Sequence, residues 1–107
     1  MGTVYKISVA KEFSKTPGGR TRRDGQFSGE AFREDFLWPR LIDATEVVVD
    51  LSGTLGYGSS FLEEVFGGLV RAHIREMPDI VRRVKIEPAE SSYAVEAQQY
   101  LLQAANN

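Results

Sequence analysis

The chain has 107 residues, no cysteine and a single histidine. That predicts one domain, 1–107, and excludes disulfides, thiolate zinc sites and multi-histidine metal sites. Thirteen basic and fifteen acidic residues leave a net charge of −2, so the chain as a whole is not steered toward nucleic acid or an anionic membrane.

Residues 3–10 (TVYKISVA) place Val4, Ile7 and Val9 among polar neighbours and read as a half-buried strand. Residues 11–27 hold Pro17, Gly18, Gly19 and an Asp24-Gly25 turn dipeptide. They predict a loop or ragged hairpin, with a short strand near Arg20–Arg23. Ser28 then precedes a stretch in which Phe32 and Phe36, and Leu37 and Leu41, are spaced by four. The spacing predicts a helix capped by Ser28, with Glu30 complementing its dipole and a kink near Trp38 ahead of Pro39.

Residues 46–51 (EVVVDL) carry three valines in a row and predict a central strand, apolar on both faces. The glycine-rich SGTLGYG follows, then a helix over 59–76. In that helix Phe61, Val65 and Leu69 share a face and Pro78 is the stop. Residues 80–86 fit another strand, centred on 83–87, and Ser91–Gln103 predicts a last helix with Val95, Leu101 and Leu102 in the core. Alternating strands and helices predict an α/β fold: a mostly parallel sheet, its centre at 46–51 and its flanks near 4–10 and 83–87, with helices packed on it. No apolar run approaches ~20 residues and the N-terminus lacks a secretory apolar core, so a cytoplasmic location is expected.

The most informative segment is 47–71. A buried strand ending in Asp50, a glycine-rich turn and serines at a helix start form a layout that binds or carries phosphate in many α/β folds. Three common phosphate or nucleophile motifs fail here. Residues 53–60 lack the lysine of a P-loop; Gly56-x-Gly58 is followed by Phe61 rather than a third glycine; Gly58-Ser59-Ser60 lacks the second glycine of a hydrolase elbow.

VVVDLSGTLGYGSSFLEEVFGGLVR resembles the central signature of the STAS domain of anti-sigma-factor antagonists: a hydrophobic strand, Asp-(Leu/Phe)-Ser-Gly, a turn carrying Asp-Ser-Ser-Gly, and a helix. It is still more similar to the STAS-like family of small bacterial and phage-associated proteins, which carry Ser-Ser-Phe-Leu-x-Glu-x-Phe-Gly-Gly at this place. Arg20, Asp24, Gly25, Ser28, Gly29 and Glu30 also look like that family, so the matches span roughly 7–71. The resemblance implies a STAS-like sandwich and a regulatory module, not an enzyme, with no cofactor. It implies a protein partner of the histidine-kinase-like ATPase superfamily, and phosphorylation at the position of Ser59. Gly58 stands where the antagonists have aspartate, and Phe61 where they have glycine.

The partner-binding candidates are therefore Gly56, Tyr57, Gly58, Ser59, Ser60, Glu63, Glu64, Gly67 and Arg71, on loop 53–60 and helix 59–76. Each also has a structural reading. Ser60 and Glu63 have the spacing of a capping box, which would leave Ser59 just outside the helix with its hydroxyl available. Glu64, at the edge of the apolar face, is open between a hydrogen bond back to the loop and a functional carboxylate. Gly67-Gly68 allows close packing on the sheet, or a flat spot for a partner. His73 is expected on the polar side or edge of the helix, without a special role. Arg20, Arg22 and Arg23 belong to a run, 11–23, with five cations against Glu12 alone. That run is either a solvated loop or a contact for phosphate or an acidic partner. The rival reading is a small nucleotide- or phosphate-binding domain or enzyme using Asp50, Ser59, Glu64 and these arginines. A magnesium site from Asp24, Asp50, Glu63 and Glu64, and a pairing of two copies, complete the alternatives.

Overall fold

The computed structural model describes residues 2–107. The β-branched run forms β2 (Glu46–Asp50), paired on one side with β1 (Val4–Ser8) and on the other with β3 (Val84–Glu87). Both pairings are parallel; Ile7 sits opposite Val49, and Val49 opposite Ile86. The expected central strand and its two neighbours are therefore in place.

Each parallel step needs a crossover. The first carries α1, made of consecutive segments Gly29–Phe32, Arg33–Leu37 and Trp38–Asp43; the second carries α2, made of Ser59–Leu62, Glu63–Gly67 and Gly68–His73. A short α3 (Ile80–Arg83) leads into β3, and α4 (Ser92–Ala105) follows it. Successive right-handed crossovers that step the same way across a sheet lie on the same face. One face is accordingly covered: Ile7, Val47, Val49 and Val84 are buried with Phe32, Phe61, Phe66, Leu69 and Leu101. The opposite face carries Lys6, Val48, Asp50, Lys85 and Glu87, none of them buried. So β2 is apolar on both faces in sequence but covered on one.

Several sequence expectations are corrected here. The first strand stops at Ser8, whose hydroxyl accepts from Lys11 N–H and opens a π-helical turn over Val9–Phe13. No strand forms near Arg20–Arg23. Asp24 accepts from the backbone N–H groups of Arg20 and Thr21 and closes a turn of 3-10 helix, Arg22–Asp24, which uses the donors a ladder would need. Residues 80–83 are helical, not extended. Val95 and Leu102, expected in the core, are 49% and 46% exposed, while Ala94, Ala97 and Leu101 make the contact.

Ser28 does cap α1, accepting from Ala31 N–H at 3.2 Å. The helix does not break at Pro39. A π-helical turn, Arg33–Leu37, widens it by one residue just before the proline, with Trp38 N–H reaching back to the Arg33 carbonyl. Proline has no N–H to give and its ring crowds the carbonyl four residues back, so a wider turn relieves both problems.

Candidate functional site

Gly29, Gly67 and Gly68 fix how α1 and α2 meet. A side chain at Gly29 would stand 2.9 Å from both the Phe61 carbonyl oxygen and Glu64 Cβ, so the helices touch backbone to backbone there. One turn on from Gly29, Arg33 lies across Gly68. It is 8% exposed, and donates from Nη1 to Glu64 Oε2 (2.5 Å) and to the Glu64 carbonyl (2.9 Å).

From this pair a chain of alternating charges runs along the helix seam. Outward, Glu64 also meets Arg20 Nη1 at 3.2 Å; Arg20 donates to Glu63 at 2.7 Å; and Arg71 grips Glu63 with two bonds. Inward, Arg33 Nε donates to Glu34 at 2.7 Å, and Glu34 lies 2.9 Å from His73 Nε2. The second ring nitrogen of His73 meets Glu76 at 3.3 Å, and its ring stacks on Trp38 with centroids 3.8 Å apart. Arg71 holds the Glu63 carboxyl below its ordinary range against a partial burial penalty, with Arg20 adding to the effect. Burial opposes the same shift at Glu34, yet Arg33 and His73 together lower it.

The sequence-predicted residues divide accordingly. Glu63, Glu64, Arg20 and Arg71 are brought together, and Glu64 supplies the bond back to the loop. Gly67 is buried under the Glu63–Arg71 pair instead of offering a flat surface. Of the two places expected for His73, the polar side is not the one taken: it is buried at the seam with α1. Arg22 makes a two-bond pair with Asp35, whereas Arg23 is exposed. Arg33 went unnoticed in the sequence. Its signal was phase: Gly29, Arg33, Leu37 and Leu41 recur every four residues, so an arginine stands in a buried stripe and requires a carboxylate opposite.

The glycine loop and the start of α2 form the second part of the site. Ser60 is not the cap, and Ser59 is not outside the helix. Gly58 occupies the cap position, Ser59 is the first helical residue, and Glu63 is taken up by arginines instead of completing a capping box. Both serines are exposed. The Ser59 hydroxyl, ahead of that of Tyr100, holds the Glu96 carboxyl on α4 below its ordinary range. The loop backbone is tied down: Leu55 N–H donates to the Lys15 carbonyl at 2.9 Å, Gly56 N–H to Thr54 Oγ1, and Tyr57 Oη to the Leu51 carbonyl at 2.8 Å. Burial pushes the Tyr57 hydroxyl up to about 12, so it stays a neutral donor. At the tip, Leu55 is 86% exposed. Asp50 serves its own loop, accepting from the N–H and hydroxyl of Ser52.

Among the described residues, no ion pair or hydrogen bond joins Asp50 or Ser59 to the arginine–glutamate chain, and no group of three acidic or histidine side chains is arranged to hold a metal. No helix among them is long and apolar enough to cross a membrane. Neither a curated protein nor a solved structure matches the chain. One family model matches residues 28–94, a stretch that takes in α1, β2, the glycine loop, α2, β3 and the start of α4. It covers more than half the chain and contains the whole Arg33–Glu64 seam, so this chain belongs to the family of STAS-like domains of unknown function (DUF4325).

Proposed function

We propose that this chain is a regulatory protein-binding module of the cytoplasm, not an enzyme, whose contact surface is loop 53–58 with the exposed start of α2. The observation that carries the reading is Leu55. A large apolar side chain 86% exposed on a loop held by backbone and tyrosine hydrogen bonds loses apolar burial in the free protein and regains it against a partner. Gly56, Tyr57, Gly58, Ser59 and Ser60 continue this surface, and Glu63 and Arg71 border it on the next turns of α2. Arg23, like Lys11 and Lys15, is an exposed basic-loop cation whose charge is left for a partner.

The partner in this reading is a histidine-kinase-like ATPase, and Ser59 is the residue it phosphorylates. A phosphate on Ser59 adds about −1.5 to −2 charges to the exposed start of α2. That charge changes the surface the partner meets. The test is affinity capture from the native cell with wild-type, Leu55→Ser and Ser59→Asp baits, followed by identification of the captured protein and phosphosite mapping. An ATPase retained by wild type and lost by both variants supports the reading. Equal capture by all three baits, or phosphate mapping elsewhere, overturns it.

A further inference from the structure

We propose that two copies of this chain pair through the free edge of β3, in an antiparallel register centred on Ile86, to make one continuous six-stranded sheet. This is independent of the Leu55 surface.

Strand order places β3 at an edge. Leu51 N–H donates to the Glu87 carbonyl at 2.8 Å, so the backbone of Glu87 faces β2. Backbone direction alternates along a strand, so Lys85 also faces β2, while the N–H and C=O of Ile86 point out from the edge. A residue oriented in this way can exchange both hydrogen bonds with its own copy across a two-fold axis.

Charge selects this register. With Ile86 opposite Ile86 of the copy, Lys85 falls opposite Glu87 of the copy, and Glu87 opposite its Lys85. All four lie on the open face of the sheet, where Lys85 and Glu87 are exposed; Glu87 also meets Lys6 of its own copy at 3.2 Å, an exposed pair that leaves its second carboxylate oxygen for Lys85 of the other copy. Opposite charges directly across a strand pair attract. The β1 edge offers no such match. Parity makes Lys6 its central outward residue, so the equivalent pairing sets Lys6 against Lys6 of the copy, the arrangement that protects natural sheet edges.

The covered face of the sheet supports the same site. Ile86 borders a groove of about 290 Å³ whose wall is Ala89, Ala94 and Val95, with Gln98 and Gln99 at its rim. Val95 and Leu102 lie seven residues apart on α4 and are each about half exposed. Ile86 and Ala94 are themselves buried, so the apolar groups left outside the core of one copy are Val95 and Leu102, and Val95 of the second copy is the matching group for the groove.

The test is sedimentation equilibrium of the full chain and of Lys85→Glu, Glu87→Lys and the double exchange, over micromolar to millimolar concentration. Wild type is expected to reach twice the chain mass. Each single exchange sets like charges opposite at two symmetry-related places and should weaken pairing by about tenfold or more, and the double exchange should recover most of it, falling short of wild type because residue 87 is then a cation beside Lys6. Circular dichroism of the four proteins confirms that these exposed positions leave the fold intact. A wild type monomeric throughout, or a dimer indifferent to the single exchanges, overturns the proposal.

Discussion

Gly67 and Gly68 are adjacent in α2, yet a methyl group meets different neighbours at each. At Gly67 the nearest is the Glu63 carboxylate, with the half-exposed Arg71 guanidinium beside it, both far ends of flexible side chains that can shift together. Gly67→Ala should therefore keep most of the helix-propensity gain and be neutral or stabilising by up to ~1 kcal/mol. At Gly68 the neighbour is the Arg33 guanidinium, pinned between Glu34 and Glu64. Gly68→Ala should be destabilising by ~1–3 kcal/mol in chemical denaturation, because the propensity gain is smaller than the loss from displacing a buried pair. Arg33→Met should cost ~3 kcal/mol, since it leaves Glu64 with only the longer bond from Arg20, while Arg71→Ala, at an exposed pair, should cost under ~1 kcal/mol. The serines provide a third comparison. Ser28→Ala removes a buried cap and should cost ~0.5–2 kcal/mol, whereas Ser59→Ala and Ser60→Ala should each stay within ~0.5 kcal/mol because neither hydroxyl caps α2.

At the scale of elements, α1, α2 and the basic loop share buried aromatic contacts and a chain of arginine–carboxylate bonds. Glu34 and Glu63 have folded-state values below their ordinary range, so the unfolded chain takes up protons at a higher pH than the folded one. Their contribution is present in full above the ordinary carboxylate value near pH ~4.5 and is lost as pH falls through the lowered folded values. A melting-temperature profile should be flat from neutrality to about pH 5 and drop below that. In Glu63→Gln the drop should be shallower, because one linked proton is removed; an unchanged slope would show that Glu63 contributes nothing to acid unfolding. The loop depends on the same residue through Arg20. Arg20→Gln should speed proteolytic cleavage within 15–27 while leaving Phe13, which packs on Phe27, Phe32 and Phe36 with centroids 5.2–5.5 Å apart, to hold the base of the loop.

For the molecule as a whole, the layering is one-sided, and two neighbouring valines test it. Val49 is fully buried on the covered face, while Val48 faces the open side. Val49→Thr should cost ~1–3 kcal/mol by burying a hydroxyl without a partner, and Val48→Thr should be within ~0.5 kcal/mol of wild type. Equal losses at both positions would mean that the open face is covered in solution. The second copy proposed above extends the sheet in its own plane and leaves that face open, so the two experiments report on different surfaces.

What the sequence by itself determined is the order and kind of the elements. The valine run, the four-residue spacing of Phe32, Phe36, Leu37 and Leu41, the Ser28 cap and the glycine turn all act within a few residues, and local propensity and burial periodicity suffice for them. The 47–71 signature likewise pointed to the STAS-like family from residues contiguous in the chain. Only the tertiary structure decided which glutamate answers which arginine. Arg33 and Glu64 are thirty-one positions apart, and nothing local distinguishes Glu64 from Glu63 until Gly29 lets α1 touch α2. The same holds for the cap of α2. Ser60 and Glu63 have the spacing of a capping box, but Glu63 bonds to two arginines from elsewhere, and charge-assisted bonds are stronger than a neutral cap. Which valine of β2 faces water was also beyond local pattern, because the hand of two crossovers, not the composition of the strand, placed both helices on one face.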